Sequence, residues 1–275
     1  MKLRQCLKAL VGVQLEVLRL PRDTLANIEP SQVGTIVGAV MDVCIPDLSK
    51  ILPNHKGLDQ IGLSRHPGIL GDREGYPDYL HESGARVELK LLYVDPVDVV
   101  MKKPPTRREP SARITQKVTI RNVDPKRDFL LVIAYQLKPC PDDGDLFSPT
   151  IVDFEIFSMI ECVRARDWRL KEKGGRWFGD YQTPTVLSRV GLGKVSRGAF
   201  LDEQNYGRKE GEGKDFNEDT NFGKLKRIPY MPLQEFLMKH GANYAEKGTY
   251  PKPWRLHRPF TESSNFSLLD PEPDD

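Results

Sequence analysis

The sequence of 275 residues has few cysteines and few histidines, and neither type is clustered. Its 4 cysteines form no CxxC pair and no zinc spacing, and although an even count could suggest disulfides, scattered cysteines in a chain of this length favour reduced thiols. The 5 histidines show no HxxxH spacing that would indicate a metal site. We therefore expect reduced cysteines and a cytoplasmic location.

Long apolar runs and several catalytic signatures are also missing. Charged residues interrupt each apolar run of the stretch 1–21 well below the about 20 residues that cross a bilayer, so we expect an amphipathic helix and no targeting segment. GLGKVSRG, at 191–198, lacks the spacing of a phosphate-binding P-loop. No GxSxG motif or Cys–His signature indicates a covalent hydrolase.

What the sequence does contain is the composition of a globular protein. Hydrophobic residues make up 39% and charged residues 29%, which is enough apolar material for a sizeable core. The 22 prolines and 22 glycines imply many loops. Because the formal net charge is only +2, a basic binding surface must come from local clustering of charge.

Apolar periodicity and chain-breaking residues predict the order of the elements. We expect helices over 3–20 and 30–46, the second capped by Ser31. The predicted strands lie at about 77–81, 85–94, 114–120, 128–137 and 150–159. Two more helices are predicted, a basic one over 161–173 that ends at Gly174-Gly175 and another over about 232–240.

These elements predict an α/β fold, in which a mixed central β-sheet is flanked by helices. We expect a core over residues 1–175 that contains the N-terminal helices and the central sheet. A more irregular C-terminal region follows over 176–269 and includes a polar, mobile loop at 207–224. The acidic tail, 270–275, is predicted to be disordered.

The most informative stretch is GYPDYLHESGARVELKLLYVDP, at 75–96. If residues 82–84 form a three-residue loop with Gly84 at positive φ, antiparallel pairing puts Asp78 directly opposite Glu88. Opposed residues have Cβ atoms about 4.5–5.5 Å apart, so the two carboxylates repel each other unless a cation lies between them. Oxygen ligands at this separation suit a hard ion such as Mg²⁺.

The period of two along the second strand adds a lysine to this pair. Arg86, Glu88, Lys90 and Leu92 share one face, whereas the alternate apolar residues share the other, which we expect to pack inward. Lys90 therefore lies beside the same ion, where its ammonium could orient an attacking water. A metal-bound water and a nearby cation are what hydrolysis of a phosphodiester requires.

Pro77-Asp78, followed after a short gap by Glu88-Leu89-Lys90, resembles the motif of the PD-(D/E)XK nuclease superfamily. The preceding Gly75 and the apolar LLYV at 91–94 are similar to that family as well. The resemblance covers only the catalytic hairpin. It implies a restriction-endonuclease-like core, and the best-known members of this length are type II restriction endonucleases, which cleave double-stranded DNA with Mg²⁺.

The resemblance also implies roles for individual residues. Asp78, Glu88 and Lys90 would be catalytic, with Asp78, Glu88 and the Leu89 carbonyl as Mg²⁺ ligands. Lys90 would position the water, and the product would carry a 5′-phosphate. Some family members add an acidic residue from an upstream helix, and the candidates left open here are Asp42, Glu16 and Glu29.

Positive charge is concentrated between residues 102 and 127, directly after the predicted catalytic strand. Such a loop can bind the DNA backbone with salt-sensitive affinity, and cations mixed with aromatic and amide side chains near residue 180 can contact bases. The predicted DNA-binding residues are Lys102, Lys103, Arg107, Arg108, Arg113, Lys117, Arg176 and Gln182. A homodimer is expected if the target is palindromic.

Other interpretations of the hairpin remain open. An E-x-K sequence on a strand is commonly a solvated face with a weak ion pair, and Pro-Asp is an ordinary turn dipeptide. A non-catalytic DNA-binding or regulatory protein with a nuclease fold is one alternative function. A repair or transposition nuclease of the same superfamily is another.

Overall fold

The computed structural model describes residues 2–47, 61–68, 75–94, 99–102, 112–115, 118, 120, 122–172, 223–228 and 230–246. The strands are β1 (Leu20–Pro21), β2 (Leu63–Arg65), β3 (Tyr79–His81), β4 (Arg86–Tyr93), β5 (Asp128–Cys140) and β6 (Asp143–Ser158). The helices are α1 (Lys2–Lys8), α2 (Arg22–Asn27), α3 (Pro30–Cys44), α4 (Met159–Glu172) and α5 (Met231–Glu246), with a 3-10 turn at Leu225–Arg227.

The strands form a six-stranded sheet in the order β1-β6-β5-β4-β3-β2. Strands β4 and β5 are parallel, and the other neighbouring pairs are antiparallel. The sheet is therefore mixed, and helices pack on it, which confirms the predicted α/β class.

Strand β5 lies in the interior of the sheet because it is apolar on both faces. Every side chain from Leu130 to Tyr135 is buried, as the continuous apolar run predicted. Leu131 and Ile133 contribute to a first core, which this face forms with helices α1, α2 and α3. Leu130 and Val132 contribute to a second core on the opposite face, with α4 and α5.

The first helix is shorter than predicted, so the prediction of a helix over 3–20 was wrong. Helix α1 ends at Lys8, and Gly12 takes a φ of 90°, which an L residue adopts rarely. The N–H of Gly12 then donates to the carbonyl of Ile151 at 2.8 Å, and that of Leu15 donates to Pro149 at 2.7 Å. The backbone therefore leaves the helix and donates its N–H groups to carbonyls along the edge of β6.

The strand predicted over 114–120 was also wrong. The described residues of that stretch form no strand, although Ile114 and Val118 are buried in the second core. Ile114 donates its N–H to Gly223 at 2.9 Å, and the guanidinium of the buried Arg166 donates to two carbonyls of the stretch. A side chain thus satisfies the backbone groups that a strand ladder would have paired.

The other predicted helices are present. Helix α3 has the predicted bounds almost unchanged, but its cap is Glu29, whose N–H donates to the Gln32 side chain at 2.8 Å, and not Ser31. Helices α4 and α5 match the predicted basic and C-terminal helices. The predicted stop at Gly174-Gly175 and most of the loop at 207–224 lie outside the described residues.

Part of the predicted C-terminal region packs on the sheet. Residues 223–246 contribute Leu225, Ile228, Leu233 and Phe236 to the second core. The boundary between residues 175 and 176 lies outside the described residues, as does the acidic tail at 270–275, so the division into regions stays a prediction.

Two further findings concern chemistry and environment. All four cysteines are free thiols. Within the described ranges, no helix combines the length and the apolar character that a membrane span requires.

Candidate active site

The site is built on the hairpin of β3 and β4, and its loop is the one that the sequence predicted. Gly84 has a φ of 84°, the left-handed conformation that a three-residue loop needs at its last position. Its N–H donates to the His81 carbonyl at 2.8 Å, and the N–H of His81 donates to Ala85 at 2.8 Å. Local turn chemistry therefore fixes which residues face each other across the hairpin.

The register of the hairpin brings the two predicted carboxylates together. Tyr79 pairs with Val87, so the next residues outward along the two chains are Asp78 and Glu88. Asp78 lies one residue before the start of β3, and its carbonyl accepts a hydrogen bond from His66 at 3.0 Å. Its backbone thus continues the pairing of β2 with β3, while its side chain reaches β4 and accepts the Leu89 N–H.

Asp78, Glu88 and Lys90 converge. The Nζ atom of Lys90 lies 2.5 Å from Oε1 of Glu88 and 4.0 Å from Oδ2 of Asp78. The same Oδ2 accepts the backbone N–H of Leu89 at 2.8 Å. An ammonium thus stands beside two carboxylates that would otherwise repel each other, which is the position where a cation is electrostatically favoured.

The site is recessed, and the apolar face of β4 packs inward as predicted, with Val87 and Tyr93 buried in the first core. The side chain of Glu88 is 5% exposed, that of Lys90 20% and that of Asp78 27%. Leu92, on the same face, is buried in the second core. The face that carries Glu88 is covered as well, because Leu92 and the neighbouring Leu130 pack in the second core with residues of α4, α5 and the segment around residue 114.

Burial changes the acid–base behaviour of the site. It raises the pKa of Glu88 to about 7 from an ordinary value of 4.5. The charge of Lys90 lowers this pKa in part, and the charge of Asp78 raises it. Glu88 therefore exchanges its proton near neutral pH, a property found often in residues that do chemistry.

One oxygen of Glu88 has no partner. Oε2 is buried and receives no hydrogen bond within the described part of the chain. Buried polar atoms are nearly always paired, so an unpaired carboxylate oxygen marks a position where a ligand can bind. The Mg²⁺ implied by the family resemblance fits this donor set, because two carboxylates can hold that ion when waters and phosphate oxygens complete its shell.

The described residues contain no group of three or more His, Cys, Asp or Glu side chains arranged to hold a metal. Of the predicted ligands, Asp78 and Glu88 face each other across the hairpin. Leu89, which follows Glu88, donates its N–H to the Asp78 carboxylate. The role of the Leu89 carbonyl stays a prediction. A site with two carboxylates matches the open coordination that Mg²⁺ accepts.

The three candidates for an additional upstream acid are engaged elsewhere. Asp42 accepts hydrogen bonds from Tyr79 and from Arg65, the latter at 2.5 Å. Glu16 pairs with Arg19 at 3.0 Å, and Glu29 caps α3. Asp42 is connected to the site through Tyr79, its hydrogen-bond partner, which follows Asp78 directly in the sequence.

A second polar group near the site was missed by the sequence analysis. Asp128, which is 1% exposed, accepts hydrogen bonds from Tyr76 and Arg86, and from the backbone N–H of Asp124 at 3.0 Å. The only available signal was a charged residue at the start of an otherwise apolar strand. The charge of Glu88 contributes to raising the pKa of Tyr76, after the larger effects of burial and Asp128, so this group lies close to the site.

The predicted DNA-binding residues are only partly described. Lys102 and Arg113 are exposed, and the backbone of Arg113 bridges to Lys224. The others lie outside the described residues: Lys103, Arg107, Arg108, Lys117, Arg176 and Gln182. Arg166, on the basic helix α4, is 1% exposed and donates to the carbonyls of Thr115 and Val118, so its charge is not on the surface.

No protein-family model, curated protein or solved structure matches the chain. The interpretation of the site therefore depends on its own geometry and on the motif that resembles the PD-(D/E)XK nucleases.

Proposed function

We propose that the protein is a Mg²⁺-dependent, site-specific DNA endonuclease that resembles the type II restriction endonucleases. One observation carries the proposal: Asp78, Glu88 and Lys90, predicted as a catalytic set, meet within 4.0 Å of the Lys90 ammonium. A solvated strand face with a weak ion pair, the ordinary interpretation of E-x-K, does not account for a Glu88 that is 4% exposed.

The residues have separate roles in this proposal. Asp78 and Glu88 are the side chains that would hold Mg²⁺, together with the Leu89 carbonyl. When bound, the ion lowers the pKa of a coordinated water and neutralises charge on the phosphate. Lys90 orients the attacking water and offsets the negative charge that develops on the phosphate oxygens.

The reaction is hydrolysis of one phosphodiester bond. The water oxygen forms a bond to phosphorus, and the bond from phosphorus to the 3′ oxygen breaks. The leaving oxygen takes a proton, so the products carry a 3′-hydroxyl and a 5′-phosphate. Recessed carboxylates beside an ammonium favour this chemistry because charges interact more strongly where water is excluded.

The proposal includes a restriction-endonuclease-like core, in which the mixed sheet carries the catalytic hairpin. Double-stranded DNA is the substrate, and the region 176–269 contributes recognition, dimer contacts or both. The exposed Lys102 and Arg113 are available to backbone phosphates. A homodimer matches a palindromic target, and the cytoplasm is the expected location.

Cleavage of a supercoiled plasmid tests the proposal. We expect the wild-type chain to nick or linearise the plasmid in Mg²⁺ and to leave it intact in EDTA. Asp78→Asn should reduce the rate at least about 100-fold, the scale on which losing one charge-stabilising group acts. The variant should still bind the same DNA fragment in a gel-shift assay.

Glu155→Gln is a matched control. Glu155 is also an acid on a strand with an ion-pair partner, Arg4, but it lies on β6, away from the hairpin. We expect this variant to cleave like the wild type. A wild-type chain that binds DNA but never cuts any substrate with Mg²⁺ would support the non-catalytic DNA-binding alternative.

The pattern of products separates the two nuclease alternatives. Digestion of a long sequenced DNA and mapping of the ends should give discrete fragments with a common sequence at each cut. Cutting confined to mismatches, branches or ends would indicate a repair or transposition nuclease instead.

A further inference from the structure

Two tyrosines flank the Pro77-Asp78 pair, and their side chains lie on opposite faces of the sheet. Tyr76 is 1% exposed and belongs to the second core, whereas Tyr79 is 0% exposed and belongs to the first core. Each hydroxyl donates a hydrogen bond to a carboxylate, and each carboxylate is also bound by an arginine. The short segment that carries Asp78 is therefore anchored on both sides.

The inner set consists of Tyr76, Asp128 and Arg86. The carboxylate of Asp128 accepts from the Tyr76 hydroxyl and from both Nε and Nη2 of Arg86, and Arg86 also donates to the Asn122 carbonyl at 3.2 Å. Asp128 begins β5, Arg86 begins β4, and the two residues are paired in the sheet. This set connects Tyr76, two residues before Asp78, to β4, the strand that carries Glu88.

The outer set consists of Tyr79, Asp42 and Arg65. Asp42 accepts from the Tyr79 hydroxyl and from Arg65 at 2.5 Å, and the Arg65 guanidinium lies 5.7 Å from the centre of the Tyr79 ring. Asp42 comes from α3 and Arg65 from β2. This set joins the residue after Asp78 to the helix on the first core and to the neighbouring strand.

We propose that the inner and outer sets are positioning groups that fix the carboxylate of Asp78 against Glu88 and Lys90. The inference rests on the proposed function only for the role of Asp78 as a metal ligand. Asp42 is thereby assigned to positioning and not to the metal shell. Hydrogen-bonded partners behind ligand residues commonly govern the affinity of a metal site in this way.

The geometry supports positioning because the backbone at Asp78 is held by its neighbours. Its carbonyl accepts the His66 N–H at 3.0 Å, which continues the pairing of β2 with β3. Its carboxylate is held by the Leu89 N–H at 2.8 Å, and that contact depends on where the backbone of residue 78 lies. The anchored neighbours, Tyr76 and Tyr79, hold that backbone together with the hydrogen bond from His66.

The Leu89 amide provides a readout that needs neither metal nor substrate. We expect Tyr76→Phe and Tyr79→Phe to speed its hydrogen exchange about three- to tenfold relative to the amide of Leu131, which reports global opening. The same variants should weaken Mn²⁺ binding at least about tenfold in a titration followed by electron paramagnetic resonance. Both measurements use the full chain.

Tyr135→Phe is the matched control. Its hydroxyl is buried and has no hydrogen-bond partner in the described residues, and Tyr135 pairs with Tyr93 at the far end of β4. This variant makes the same chemical change in the same kind of surroundings, so we expect both the Leu89 exchange ratio and Mn²⁺ affinity to stay as in the wild type.

The outcomes separate the inference from the proposed function. An unchanged Leu89 exchange ratio in both Tyr76→Phe and Tyr79→Phe overturns the positioning role, even if the wild type cuts DNA. A raised ratio in a chain that neither binds Mn²⁺ nor cuts DNA supports the positioning of Asp78 and overturns only the nuclease. Arg65→Gln, at a side chain that is 59% exposed, gives a third variant with little risk to folding.

Discussion

The inner and outer sets contain the same three residue types in the same arrangement, but one is buried and the other is near solvent. In the inner set, the side chain of Asp128 is 1% exposed and that of Arg86 15%. In the outer set, the side chain of Asp42 is 35% exposed and that of Arg65 59%. Both sets hold a tyrosine within two residues of Asp78, and they differ in burial and in whether the arginine donates from two nitrogens, as at Asp128, or from one, as at Asp42.

Burial makes a polar group costly to disturb without making it more stabilising. Moving a charged side chain from water into the protein interior costs free energy. Its interaction partners offset that cost only when all of them are present. Near solvent, water replaces a lost partner, so exposed ion pairs contribute little. The inner set should therefore be costly to disturb, whereas the outer set can be altered with a small loss of stability.

The largest difference should follow removal of an arginine from the inner set. Arg86→Ala leaves the Asp128 carboxylate buried without its main countercharge, so we expect the free energy of unfolding to fall by about 3–5 kcal/mol. Urea denaturation measures this change. Adding Asp128→Asn to Arg86→Ala should recover part of the loss, because it removes the uncompensated charge. A loss below about 1 kcal/mol would mean that water already reaches Asp128.

The hairpin was predictable from sequence because its determinants are local. Gly84 sets the turn, and the period of two then fixes which residues oppose each other, so Asp78 and Glu88 could be paired without any tertiary information. The burial of Glu88 could not be predicted in the same way. The face that carries Glu88 belongs to the second core, whose helices α4 and α5 follow β4 by many residues.

The inner set was unpredictable for a related reason. The contact of Arg86 with Asp128 exists because β4 and β5 are parallel and paired in that register, and a parallel pair is joined by a long crossover with no turn signal to set it. The failed strand at 114–120 belongs to that same crossover. Its apolar residues were recognised, but Arg166, far along the chain, decides how its backbone is satisfied.

A second, smaller difference between buried and exposed groups should appear in the pH dependence of stability. The pKa of Glu88 is raised to about 7 in the folded chain, whereas the ordinary value is 4.5. Between these values the folded chain keeps a proton that the unfolded chain has released, so the free energy of unfolding decreases as pH rises. This contribution is fully present below pH 4.5 and is lost as pH passes 7.

Glu88→Gln tests this expectation because glutamine stays neutral throughout. In metal-free buffer, the stability of the wild type relative to Glu88→Gln should decrease from pH 5 to pH 8, by about 3 kcal/mol at most. Chemical denaturation at a series of pH values measures the difference. A constant difference across that range would show that Glu88 ionises like an exposed acid.

The smallest effect is expected at the outer set. Arg65→Ala removes an ion pair with Asp42 whose two side chains are well exposed, so the free energy of unfolding should change by about 0.2–1 kcal/mol. Added salt should shrink this difference further, because exposed charges are screened. Urea denaturation at low and high salt provides the measurement. A loss as large as that of Arg86→Ala would mean that burial is not what distinguishes the sets, and that the shared Tyr–Asp–Arg arrangement itself carries the energy.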